Sequence, residues 1–348
     1  MNSHLKNALK FVLFLGIGVS ILYFVYQKNS ATYLAACMED GGSAEDCVLW
    51  KKLWLDFQNA KFGWLVLVIA LFSISNISRA VRWNMLMKPL GRKPRFLNSF
   101  CCIAIGYFAN LGLPRSGEFV RAITFSRYEK IGFDKVMGTV VVDRIFDVLS
   151  IFIVTGIALI IEFDTIWGFF GPYLNVGNTP LYLLLAFVGL AFLVFLLRKQ
   201  ISESSLFKKV YGLFKGFVDG LISVRKIDKP FWFIFHSVNI WLMYYLMTYM
   251  CFFAYEPTAA LSPVVGLMVF VFGAWGIVIP SPGGMGTYHF LTQTVLGFYG
   301  VKEVEAFSFA NISFFTIQLF TNVITGILAL ILLPLINRNY DPVPIKES

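Results

Sequence analysis

The stretch Asn110-Leu111-Gly112-Leu113-Pro114-Arg115-Ser116-Gly117-Glu118-Phe119-Val120-Arg121 decides how this chain is read. It joins two apolar segments too short to cross a bilayer, in a chain that otherwise reads as membrane helix. Pro114 and Gly117 break the helix, and Arg115, Glu118 and Arg121 put charge at the break. A broken helix at membrane depth is tolerated only where it lines a cavity or is buried in protein. Charge at that depth marks a functional site by default. The stretch therefore predicts half of a binding site for a charged substrate.

Composition sets the surroundings of that break. Charged residues make up 14% of the chain and hydrophobic residues 57%, against about 25% charged in a soluble domain. The apolar residues come in runs of about 18 or more, and the alternating segments of a barrel are missing, so the fold class is all-α and polytopic. The net charge of +9 follows the loops of one membrane face, which argues against nucleic acid as a partner. Neither a metal motif nor a nucleotide-binding loop occurs, so no cofactor or metal is expected. Cys37 and Cys47 share one polar loop. Outside the cell they suit a disulfide, and two unpaired thiols fit the sequence equally well.

Six full spans are expected, over Phe11–Tyr26, Lys61–Met87, Val136–Ile161, Leu181–Leu197, Phe231–Tyr255 and about 304–335. A cleaved signal peptide is the rival reading of the first. Residues 27–60 and 162–180 read as polar loops. Leu97–Leu113 with 117–128, and Pro263–Ile279 with the piece ending at Tyr299, read as two re-entrant helical hairpins. Residues 198–229 carry basic residues among helically spaced Leu206, Val210, Leu213, Phe217 and Leu221, which predicts an amphipathic helix on the inner leaflet, with a solvated connector as the alternative. Of the 29 Lys and Arg, all but Lys28, Lys51, Lys52, Lys61, Lys302 and the intramembrane Arg144 fall on, or are entered from, one face. That face is read as cytoplasmic, with both termini there, in the inner membrane of a cell.

The chain also repeats itself. Trp64 and Trp232 open corresponding spans, Pro114 and Pro282 mark corresponding breaks, and Gly132 and Gly300 keep the same offset. Thr155-Gly156-Ile157 matches Thr325-Gly326-Ile327. Three spans separate equivalent positions, so the halves should be inverted, unless the matches are a coincidence of two apolar halves. The resulting division is 1–60 for the first span and outer loop, 61–197 for one half, 198–229 for the connector, 230–337 for the other half and 338–348 for the tail. Paired, inverted, Gly/Pro-interrupted segments point to a transporter site. In the second break, Pro280, Pro282, Gly283, Gly284 and Gly286 allow backbone close to a ligand, and His289 follows. His289 is either a group titrating near neutral pH or an ordinary hydrogen-bonded histidine.

Asp143 and Asp147 share one helix face, beside Arg144. Such a set is either a helix clamp or part of a site. With Arg79, Arg82, Arg115, Arg121 and Glu118 it gives five positive charges against three negative, and the excess suits a phosphate. Arg79 and Arg82 also read simply as interfacial residues marking the inner face.

These residues resemble the flippase-like transmembrane family that includes the membrane domain of lysylphosphatidylglycerol synthases. The matching pieces are Arg79-x-x-Arg82-Trp83, Asn110-x-x-x-Pro114-Arg115-x-Gly117-Glu118-x-x-Arg121, Asp143-Arg144-x-x-Asp147 and Pro282-Gly283-Gly284-x-Gly286. The resemblance implies lipid translocation, with an anionic phospholipid or lipid-linked saccharide handled by the charged residues around the two hairpins and by the neutral Asn110 beside them. The family usually has Glu at the positions of Asp143 and His289. No aminoacyl-transferase domain is found in these 348 residues, so the chain is not expected to aminoacylate lipid; its intramembrane acids are interleaved with arginine and form no catalytic set, so it is not expected to act as an enzyme. A lipid-modifying transferase, or a membrane partner of a glycosyltransferase or lipid synthase, are the alternatives; a homodimer is compatible with either.

Overall fold

The structure, a computed structural model, describes residues 3–39, 41–91, 93–112, 116–165, 227, 229–279 and 281–342. All regular structure among these residues is helical. The helices are α1 (Ser3–Glu39), α2 (Leu49–Gln58), α3 (Phe62–Met87), α4 (Phe96–Gly112), α5 (Gly117–Glu129), α6 (Phe133–Ile161), α7 (Pro230–Ala254), α8 (Pro263–Val278), α9 (Thr287–Phe298), α10 (Glu303–Phe314) and α11 (Thr321–Ile336). A π-helical segment, Phe315–Phe320, joins the last two into one rod. Pro114 and Arg115, Pro280, the expected fourth span at 181–197 and nearly all of the basic connector at 198–229 lie outside the described residues.

Four described rods are long and apolar enough to cross a membrane: Phe62–Leu90, Phe133–Ile161, Pro230–Ala254 and Glu303–Ile336. The shortest has 25 residues, or about 38 Å at 1.5 Å per residue, against a hydrocarbon core of about 30 Å. The expected first span lies within α1.

Residues 27–60 differ from the expected loop. The helix of α1 runs on to Glu39, because no Gly or Pro interrupts Gln27–Glu39 and Ala31, Leu34, Ala35 and Ala36 favour helix. Gly41, at φ 88°, turns the chain just beyond. Cys37 and Cys47 are joined by a disulfide, which folds the turn back into α2. Asn29, fully buried, exchanges amide hydrogen bonds with Gln293, and Lys28 pairs with Glu303, tying α1 to α9 and α10.

Helices α3 and α7 form the central pair and run antiparallel. Lys61 N–H donates to Ala254 O at 2.8 Å, Asn239 to Ser78 Oγ at 2.7 Å, and Arg82 to Ser237 Oγ at 3.3 Å. The disulfide face holds the start of α3, the end of α7 and the start of α10, linked through Asp56, which accepts from Tyr255 and Ser308. The opposite face holds the bases of α4 and α5 and the end of α11. There Asn98 and Tyr340 donate to Glu129, and Asn98 and Asn337 pair through their amides.

Between these faces lie two helical hairpins, α4–α5 and α8–α9. The first opens toward the opposite face, where Asn98 of α4 meets Glu129 of α5. The second opens toward the disulfide face, where Tyr299, just past α9, donates to Glu162 at the end of α6. The first is laid against α11, where Phe108 fills the space beside Gly326. The second is laid against α6, where Trp275 donates to Thr155 at 3.0 Å.

Candidate functional site

The first hairpin closes because two glycines let backbones touch. A Cβ on Gly117 would overlap Gly106 O, and one on Gly106 would stand 2.9 Å from Gly117 O. Asn110 accepts from Gly117 N–H at 2.8 Å, capping the free amide end of α5 across the break. Asn110, expected near the substrate, thus braces the turn. The second hairpin repeats this with Gly276, whose Cβ would meet Tyr288 Cα at 2.8 Å, and with Thr287, which donates to Gly276 O at 2.6 Å. Gly283, Gly284 and Gly286 have φ of 59°, 81° and 82°, a region costly for any side chain, and they form the turn after Pro282. The two turns meet. Leu111 Cδ2 lies 3.1 Å from the Cβ position of Gly283.

Beside the first hairpin sits a buried charge cluster drawn from three helices. Arg79 and Arg82 of α3 are 2% and 0% exposed, Arg121 of α5 is 2%, and Asp143 of α6 is 0%. Arg82 holds Asp143 Oδ1 through Nε (2.9 Å) and Nη2 (2.6 Å), and its Nη2 also reaches Asp147 Oδ1 at 2.7 Å. Arg79 Nη1 donates to Asp147 Oδ2 at 2.6 Å. Arg121 Nη1 donates to Asp143 Oδ2 at 3.0 Å. Arg144 spans Glu118 Oε1 at 2.9 Å and Asp147 Oδ2 at 3.2 Å.

Four described arginines therefore face three carboxylates, and the surplus is not spread evenly. Every nitrogen of Arg82 has a partner. Arg121 instead has Nε and Nη2 bare, although its guanidinium lies 3.7 Å from the centre of the Trp83 ring. Arg79 Nε, Arg144 Nε and Glu118 Oε2 are bare as well, one atom each, and the Arg144 and Glu118 side chains are the most exposed of the set, at 35% and 21%. A buried ion pair by itself is weak grounds for stability. The fully paired part, Arg82 with both aspartates, is a clamp between α3 and α6; the underpaired edge is Arg121, Arg144 and Glu118.

Neutral groups complete the cluster and carried no signal in the sequence. Arg79 Nη2 donates to Tyr244 OH at 3.3 Å, and Tyr244 and Tyr107 share a hydrogen bond at 3.1 Å. Trp83 Nε1 donates to Thr139 at 3.0 Å, which fixes the ring beneath Arg121. His289 is not part of this set in any described contact. It is 2% exposed, its ring neighbours are Tyr288, Phe307 and Phe314, and its Nδ1 has no partner. Its described neighbours are aromatic rings packed around it.

The chain is similar to known proteins over most of its length. The sequence profile described as the lysylphosphatidylglycerol synthase TM region matches residues 45–336. The UPF0104 membrane protein PH1989 of Pyrococcus horikoshii is 23% identical over 272 residues, covering 72% of this chain and 81% of that one. The UPF0104 membrane protein MJ1595 of Methanocaldococcus jannaschii is 30% identical over 111 residues, 28% of this chain and 33% of that one. No solved structure matches. The matched region contains the central helix pair, both hairpins and the whole charge cluster, and the chain belongs to the family of the lysylphosphatidylglycerol synthase transmembrane region.

Proposed function

We propose that this protein is a lipid translocator, moving an anionic phospholipid or lipid-linked saccharide between leaflets with its phosphate held at the arginine cluster. The observation that carries the reading is Arg121: a buried guanidinium with two bare nitrogens, in a cluster of four arginines against three carboxylates. A guanidinium fork suits phosphate, to which it donates two parallel hydrogen bonds. A phosphodiester brings one negative charge, which matches the described surplus.

Transport would proceed by exchange of partners. With no lipid, Glu118 and Asp147 occupy Arg144; an arriving phosphate takes Arg121 and displaces Glu118 from Arg144. Glu118, on the more exposed edge, is the carboxylate that can turn to water at least cost. The hairpins are read as re-entrant arms of an inverted repeat. Supporting this are their openings toward opposite faces, the matching close approaches at Gly106–Gly117 and Gly276–Thr287, and the reciprocal packing of each first arm against the Thr-Gly-Ile segment of the other half. The disulfide supports an oxidising compartment on its face, and the basic residues at 88, 93, 95, 127, 130 and 135 support a cytoplasmic opposite face, with both termini there.

The reading makes the chain a carrier and not an enzyme. Glu118, Asp143 and Asp147 are each held by at least one guanidinium, which suits charge compensation better than proton transfer. Native mass spectrometry of the purified protein tests the reading. An anionic lipid should remain bound to the wild type and be lost from Arg121→Met; retention of zwitterionic lipid alone by both proteins would sink it.

A further inference from the structure

The cluster continues beyond its arginines. Ser75 and Asn76 lie one turn before Arg79 on the buried face of α3, at 0% and 1% exposure. Ser75 Oγ has no hydrogen-bond partner, and neither has Nδ2 or Oδ1 of Asn76. An amide offers two donor hydrogens and an acceptor oxygen with two lone pairs. A helix interface built only for packing has no reason to bury them bare, because leucine or alanine there avoids the desolvation penalty.

The neighbours of Asn76 place its side of α3. Phe72, one turn earlier, has its ring centre 6.4 Å from that of Tyr107. Arg79, almost one turn later, has its guanidinium carbon 6.0 Å from the centre of the same ring. Asn76 therefore lies between two residues that both reach Tyr107 of α4. Tyr107 OH meets Tyr244 OH, which accepts from Arg79. A strip of bare hydroxyl and amide groups and two phenols thus leads from Arg79 toward the disulfide face.

We infer that this strip is a subsite for the neutral, hydroxyl-bearing part of a lipid head group, a polyol or sugar, adjoining the phosphate at the arginines. The inference rests on the lipid reading above. Hydroxyls donate and accept at once, as Ser75 and Asn76 require, and aromatic rings flanked by a few placed polar groups are how ligand pockets fix orientation.

Binding of two short-chain probes of equal charge to the purified full-length protein tests this. Phosphatidylinositol carries a polyol, and phosphatidylmethanol is the same phosphodiester without hydroxyls. Wild type should bind phosphatidylinositol tighter by about tenfold, the scale of one or two hydrogen bonds. Asn76→Leu should abolish that preference, leave phosphatidylmethanol binding unchanged and raise the thermal stability of the lipid-free protein. Ser75→Ala should lower the preference less, and Arg121→Met should weaken both probes. A wild type that binds both probes equally, or an Asn76→Leu that weakens both alike, overturns the subsite while the lipid reading stands. Failure of the wild type to bind either probe overturns both.

Discussion

Replacing Arg121 and Arg82 in turn by Met should separate what the cluster does for folding from what it does for substrate. Methionine keeps most of the stem and removes the charge. Arg82→Met deletes three contacts to the carboxylates of Asp143 and Asp147, one to the Asp143 backbone carbonyl and one to Ser237, and leaves the Asp143 carboxylate served by Arg121 and, at 3.5 Å, by Arg79. Breaking a buried, fully paired ion set costs about 3–5 kcal/mol. Arg121→Met deletes one charged hydrogen bond, about 1.5–3 kcal/mol, and a ring contact of about 0.5–2 kcal/mol. It also relieves two bare buried nitrogens, at about 1–3 kcal/mol each. Asp143 keeps both contacts to Arg82. At the middle of these ranges the losses, about 3.5 kcal/mol, and the gains, about 4 kcal/mol, nearly cancel. Equilibrium unfolding in mixed micelles, followed by tryptophan fluorescence, with bound phospholipid measured on the same samples, reads both quantities. Arg121→Met should fold almost as well as wild type and lose its lipid. Loss of 3 kcal/mol or more in Arg121→Met, or lipid retained at wild-type level, would refute the division of roles.

Other consequences follow from the same geometry. Gly117→Ala and Gly276→Ala should each prevent folding or cost several kcal/mol, because backbone atoms stand where the methyl group goes; Gly138→Ala, with open space, should stabilise by about 1 kcal/mol, and thermal unfolding of the three compares them. Replacing Cys37 and Cys47 by Ser should cost about 2–3 kcal/mol for a loop closed over 10 residues. In the reduced protein an impermeant thiol reagent should reach both from the outside only. At the other face, burial and then the Glu129 carboxylate push the Tyr340 hydroxyl up to about 12. A folded value above the unfolded one, about 10, means that docking of the 337–341 segment is fully present below pH about 10 and is lost as pH rises through about 12. Proteolysis of the tail across that range checks the sign.

Much of the fold is legible in the sequence because membrane helices are punctuated plainly. Pro263 with Ser262 before it starts α8, and the Pro114–Gly117 break falls where α4 gives way to α5. The polar stretch after Gln27 misleads because polarity does not end a helix that has no Gly or Pro in it. Cys37 and Cys47 gave no answer, since spacing alone does not report compartment or geometry. Arg79 and Arg82 were ambiguous for a sharper reason. They sit next to Trp83 and Lys88, as interfacial arginines do, and only the packing of α6 across α3 buries them on Asp143 and Asp147. Tyr107, Tyr244 and Asn76 gave no signal at all, because aromatic and amide residues within apolar spans look alike whether they face lipid or the interior.

Reconstitution in liposomes addresses the central claim most directly. A fluorescent anionic lipid is placed in both leaflets, and the fraction of label quenched by an impermeant reductant is followed for wild type, Arg121→Met and empty vesicles. Wild type should expose inner-leaflet label faster than empty vesicles, and Arg121→Met, folded and inserted, should fall back to the empty-vesicle rate. Equal rates for wild type and Arg121→Met would contradict it, because the bare guanidinium would then have no part in moving the head group.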